Sequence, residues 1–229
     1  MESKAYISNL LSSDTRLFAA IYGFNNDMLE YMHPEFFPDT SIVQYLKPLM
    51  QSPRYRGEAL KYLRQRLGID NLGYYKSWEK RYWLCLFSAE EIQKIICYIG
   101  GVCFSEQIRK IILSRELLKL KQVIGRDAYL FSIRSAPLIL RAALAERFQM
   151  KGKNLLERVL NTGKAIIEMS LARIPREIAQ RFMLKFPKNF GWNFNHNVED
   201  PQYYFDFIRK VVKRTIYSSD NVAVSMIKA

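Results

Sequence analysis

The side chains able to carry chemistry are few in this sequence, and they do not converge. There are two histidines, His33 and His196. His33 stands before Pro34 in a turn, and His196 lies in an Asn-rich loop. Neither has a second His or Cys at metal-ligand spacing, and HExxH and CxxC are both absent. Both therefore read as solvated turn residues, and no metal centre is expected. Cys85, Cys97 and Cys103 form an odd set with no paired spacing. They read as small buried hydrophobes kept reduced, which points to the cytosol. Two adjacent carboxylate pairs could serve acid–base chemistry. Glu90–Glu91, however, opens a helix, where negative charge complements the macrodipole. Glu199–Asp200 stands directly before Pro201 and reads as a turn and helix cap. No GxGxxG, P-loop or GxSxG is present, and Gly100–Gly101 lacks the following Lys and Ser/Thr of a phosphate loop. The expectation is of no enzyme, no cofactor and no small-molecule substrate.

What remains is recognition. The formal net charge is +13. Residues 1–80 carry ten Lys/Arg against nine Asp/Glu, whereas residues 81–229 carry twenty-five against thirteen. A basic half beside a near-neutral one suits an acidic partner surface, nucleic acid or anionic lipid. Within residues 147–188, ten Lys/Arg face Glu157, Glu168 and Glu177. These cations are dispersed between apolar residues at helical spacing, the pattern of solvated helix faces. No RNA-binding motif or helix-turn-helix accompanies them, so a basic helical nucleic-acid-binding protein is the alternative reading rather than the first. Two patches are candidate partner-binding sites. One is the basic face of the last helix, Arg209, Lys210, Lys213 and Arg214. The other is the loop 189–195, where Phe190, Trp192 and Phe194 alternate and would anchor a partner if exposed, or staple the loop to the core if not.

The elements that must position these residues are helices. Asp14 is placed to cap a helix through Leu17, Phe18, Ile21 and Tyr22. Pro34, Pro38, Pro48 and Pro53 cut the stretch after Tyr31 into short pieces. Ala59, Leu60, Leu63 and Leu67 then recur at helical spacing. Ser88 and Glu91 form a capping box ahead of Ile92, Ile95, Ile96 and Ile99, and Gly100–Gly101 suggests a stop or bend. A second helix would set Ile108, Ile111 and Ile112 on one face. Ser114 caps a third, which ends near Gly125. Residues 127–134 fit a helix or a strand, and helix is preferred. Ser135-Ala-Pro137 begins another, running through Leu140 and Leu144 to Phe148. Leu155 to Gly163, the run from Ile166 to Ile174, and Tyr204 to Val212 continue the series. The longest uncharged run of note, Ile95–Ser105, is far short of a membrane helix. Met1-Glu-Ser-Lys-Ala-Tyr lacks a basic region followed by an apolar one, so no secretory signal is expected. No repeat of 20–50 residues is visible. The fold expected is all-α, an irregular multi-helix bundle. Residues 1–80 would be a subdomain of short helices, 81–217 the helical core and 218–229 a frayed tail.

The stretch Leu84–Leu140 resembles the SctK family of type III secretion proteins, which includes the YscK and PscK proteins. The points that carry it are Ile99-Gly100, Ile108-Arg109-Lys110, Leu117-Leu118 and Ile124-Gly125. They cover about a quarter of the chain. The resemblance implies an adaptor or scaffold at the cytoplasmic face of the inner membrane, part of the sorting platform beneath the secretion apparatus. Its partners would be the SctD-like inner-membrane ring protein, through its cytoplasmic domain, and the SctQ-like pod protein. It carries over a role and no site residues.

Overall fold

In the computed structural model of the chain, the residues described are 7, 10–37, 40–69, 73–76, 78–112, 114–139, 148–215 and 222–228. Among the described residues 74% are helical and there is no strand. In order, the helices are α1 (Thr15–Asn26), α2 (Met28–Tyr31), α3 (Thr40–Gln51), α4 (Arg56–Arg66), α5 (Ala89–Cys103), α6 (Ser105–Arg109) and α7 (Ser114–Ile124). They are followed by α8 (Arg126–Arg134), α9 (Ala136–Ile139), α10 (Leu155–Ser170), α11 (Arg176–Met183), α12 (Pro201–Thr215) and α13 (Val222–Lys228). Short 3-10 turns occupy Pro34–Phe36, Lys80–Leu86 and Lys188–Phe190. The chain forms two compact units, one of residues 1–89 with 174–192 and one of residues 90–173 with 193–229.

The first unit is built on Met28, Phe37, Leu46, Leu60, Leu63, Ile69 and Leu184, all buried. Asp14 caps α1 as its residue type predicts, accepting a hydrogen bond from the Leu17 N–H at 2.9 Å. Pro48 does not cut the chain. It sits inside α3, where its missing N–H leaves the carbonyl of Gln44, one turn earlier, without its intrahelical donor. Lys185 enters this core. Its Nζ donates to the carbonyls of Cys85 at 2.7 Å and Phe87 at 2.6 Å, and lies 5.2 Å and 5.1 Å from the ring centres of Phe24 and Tyr31. The ammonium thus replaces water with two carbonyls and two aromatic faces.

The second unit is organised by α5, α10 and α12. α5 begins immediately after Ser88, as the capping pattern predicts, and buries Ile92, Ile95, Ile96 and Ile99. It does not stop at the glycine pair but runs on to Cys103. The glycines serve a crossing instead. A Cβ at Gly100 would stand 2.0 Å from the Val159 carbonyl oxygen, and one at Gly163 would stand 2.1 Å from that of Ile96. α5 and α10 therefore approach backbone to backbone, each through a glycine of its own. For the same reason Gly163 lies within α10 rather than ending it.

Three further expectations change. α6 is one turn ending at Arg109, so Ile112 is 94% exposed and shares no buried face with Ile108. The stretch Ala136–Ile139 is helical as Pro137 suggests, while the continuation through Leu140 and Leu144 lies outside the described residues. The C-terminal segment is not frayed over 222–228. It forms α13, with Ala223, Val224 and Ile227 buried, because those three residues give a short helix a continuous apolar face.

Candidate functional site

The basic patch belongs to α12. Asp200 caps this helix, its Oδ1 accepting from the backbone N–H groups of Gln202 at 3.0 Å and Tyr203 at 3.3 Å, so the Glu199–Asp200 pair is a cap as its position before Pro201 predicts. Phe205, Phe207, Ile208, Val211 and Val212 are buried, which turns the opposite face outward. Lys210, Lys213 and Arg214 are exposed there. Arg209 is half-buried, and its Nε donates to the Ile227 carbonyl of α13 at 3.0 Å. Asp206, Arg209, Lys210 and Lys213 surround an open hollow of about 360 Å³. Lys213 and Arg214 occupy the last turn of the helix, where cations also complement the macrodipole. The arrangement brings all four predicted cations onto one element, three of them free in solvent to meet an anionic surface.

The aromatic loop divides. Phe194 is 8% exposed, and its carbonyl accepts from the Arg173 N–H at 3.2 Å; its ring is packed away rather than presented. Phe190 and Trp192 are half-exposed and are held from below by α11 and the residues after it. The Trp192 ring centre lies 5.1 Å from Phe182, 5.0 Å from Phe186 and 4.9 Å from Phe190. Phe182 and Phe186 are wholly buried. Gly191 has φ 65° and ψ 51°, a left-handed turn that glycine adopts without a Cβ clash. The chain reverses there, and Phe190 and Trp192 fall on one aromatic stack while Phe194 belongs to the other unit.

Other ionisable groups are structural. His33 closes the turn at Pro34, its Nδ1 accepting from the Glu35 N–H at 3.4 Å. His196 is not simply solvated. Its Nε2 stands 3.3 Å from Oε2 of Glu168, a buried carboxylate that also accepts from the Asn193 N–H at 2.8 Å and lies 3.4 Å from Lys164. Glu168 thus pins the chain on either side of Phe194. Nor do all the cations of 147–188 lie on solvated faces. Arg181 is fully buried and donates to the carbonyls of Asn25 at 3.3 Å and Glu177 at 3.0 Å; burial lowers its pKa. Sequence spacing missed Glu168 and Arg181 because a charged residue at a buried helical position looks, in one dimension, like a break in the apolar stripe, and it missed Lys185 because that residue is buried in the turn after α11. The run Phe182, Met183, Leu184, Lys185, Phe186 was the available signal, since a lysine enclosed by apolar neighbours has no solvated face. Burial pushes the Cys85 and Cys103 thiols up to about 12 and Cys97 to about 11, and all three are free. Among the described residues no group of three or more His, Cys, Asp or Glu is arranged to hold a metal ion, and no helix is long and apolar enough to cross a membrane.

Compared with known families, residues 20–215 match the model described as YOP proteins translocation protein K (YscK). No curated protein and no solved structure matches the chain.

Proposed function

The chain belongs to the YscK family, the SctK family of type III secretion proteins, and from that premise we propose that it is a sorting-platform adaptor. In this reading it works at the cytoplasmic face of the inner membrane, joining the SctD-like ring protein to the SctQ-like pod protein. The observation that carries it is the family match across residues 20–215. The family is one of structural or adaptor proteins and not of enzymes, which suits a chain whose buried charges are taken up in holding its own helices.

Two surfaces support an adaptor's work. The exposed Lys210, Lys213 and Arg214 on α12 suit an acidic face, adding on-rate and orientation more than affinity. The half-exposed Phe190 and Trp192 offer aromatic contact area with little entropy to lose. The test is reconstitution of the purified chain with each partner. Both the SctD-like cytoplasmic domain and the SctQ-like protein should bind. Lys210→Glu/Lys213→Glu/Arg214→Glu should weaken one of them by about tenfold or more, with the difference shrinking as salt rises. Failure of the unmodified chain to bind either protein would defeat the adaptor role.

A further inference from the structure

The first unit contains a hollow of about 340 Å³ that the aromatic loop only borders. Its walls come from three stretches far apart in sequence: Phe36 from the first 3-10 turn, Leu67 and Ile69 after α4, and Met183, Leu184 and Trp192 around α11. Ile69 is 3% and Leu184 5% exposed, and both belong to the unit's core. The core therefore sets these two walls and they cannot fill the space by collapse. Trp192 is backed by the buried rings of Phe182 and Phe186, which leaves a stiff wall at the mouth. An apolar cavity of about 150 Å³ already accepts benzene. This one has room for a large side chain and part of the backbone that bears it.

Charge selects among the segments that could bring such a side chain. Lys188 borders the hollow with its Nζ 5.5 Å from the Phe36 ring centre. Arg66, exposed in the last turn of α4, directly precedes the lining residue Leu67. The neighbouring carboxylate, Glu35, already accepts from the Lys188 N–H at 2.9 Å. The slot is bordered by one cation, Lys188, with Arg66 one residue from its wall and Glu35 the single carboxylate beside it, and this net positive edge favours an acidic segment over a basic one.

We infer that this hollow docks an acidic segment of a partner protein, which inserts one bulky apolar side chain while flanking carboxylates meet Lys188 and Arg66. The inference rests on the adaptor reading only for which protein carries the segment.

The test uses the full chain and reads the indole N–H resonances of its three tryptophans, Trp78, Trp83 and Trp192, the last assigned with Trp192→Phe. The probe is a synthetic helical peptide of about 15 residues, rich in Glu, with Phe at its centre. At millimolar concentration it should shift the Trp192 resonance and leave the other two in place. Replacing the peptide's Phe by Ala, or its Glu by Lys, should weaken the effect about tenfold. Met183→Glu and Lys188→Glu in the protein should do the same, with thermal melting unchanged to show that both variants fold. A second arm titrates the SctD-like domain and the SctQ-like protein. If one of them binds and the two variants weaken it, the hollow is its docking site. If a partner binds but the peptide leaves Trp192 unmoved and the variants change nothing, the inference fails while the adaptor reading stands. If neither partner binds yet the peptide shifts Trp192, the hollow stands and the adaptor reading fails. A Trp192 shift that grows with protein concentration alone would assign the hollow to a second copy of this chain and overturn the inference.

Discussion

Replacing Gly100 by alanine sets two effects of opposite sign against each other. In the interior of an exposed helix the change would stabilise by about 1 kcal/mol through propensity. Here the new Cβ would stand 2.0 Å from the Val159 carbonyl oxygen, 2.8 Å from its carbon and 2.9 Å from Cγ1. Ordinary carbon–oxygen contact begins near about 3.3 Å, so α5 and α10 must separate by about 1 Å locally. The nearest atoms are backbone and cannot rotate away. Separation loosens Ile96, Ile99, Val159 and Ile166, each at most 4% exposed. Overpacking of this kind costs about 1–3 kcal/mol and sometimes more, with further dispersion energy lost where the helices part. The net effect should be a loss of about 2 kcal/mol, or about 4–8 °C in melting temperature for a chain of this size. Circular dichroism melts and urea titrations measure both. Gly163→Ala, facing the Ile96 carbonyl at 2.1 Å, should behave alike, and the double variant should lose less than the sum because one crossing relaxes once. Gly101→Ala is the internal control, since its Cβ would meet only the Ser132 side chain at 3.1 Å and other atoms at 3.6 Å. Gly57→Ala, with nothing within 4 Å, should be neutral or stabilising. A Gly100→Ala protein as stable as the unmodified chain would mean that the α5–α10 crossing does not depend on glycine at this position.

Lys185→Met should cost about 2–4 kcal/mol in urea unfolding, because the carbonyls of Cys85 and Phe87 lose their donor while staying buried. With thiols pushed up to about 11 and 12 by burial, a thiol reagent at pH 8 should label the folded chain slowly, Cys97 first. Labelling in denaturant should be immediate. Burial alone would raise the Glu79 carboxyl, yet hydrogen bonds from Arg81 at 2.7 Å and Tyr82 at 2.8 Å hold it below its usual value. Its contribution is then present above the ordinary Glu pKa and lost as pH falls through the lowered one. The stability gap between the unmodified chain and Glu79→Gln should close over that acid interval in pH-dependent melts.

Local signals were legible where the chemistry is local. Asp14 and Asp200 cap the helices their types and positions predict, the Ser88–Glu91 pattern marks the start of α5, and residues 127–134 form the helix expected of them. Signals that depend on a second segment were misread. Gly100–Gly101 looks like a helix stop because glycine is permissive, and only the position of Val159 shows that Gly100 is needed for close approach. Ile112 continues the spacing of Ile108 but lies beyond the end of a one-turn helix. The basic face was visible as an amphipathic pattern in α12. The alternation of Phe190, Trp192 and Phe194 concealed a reversal at Gly191, whose backbone conformation no period expresses. The hollow was out of reach, since Phe36, Leu67 and Met183 share nothing in sequence.

The adaptor role itself is tested most directly by recovering the tagged chain from its own bacterium during active secretion and identifying what is bound to it. An adaptor should bring down an SctD-like ring protein and an SctQ-like pod protein together, and nuclease treatment should leave both in place. Recovery of neither protein, with nucleic acid bound in a salt-resistant manner instead, would contradict the adaptor role.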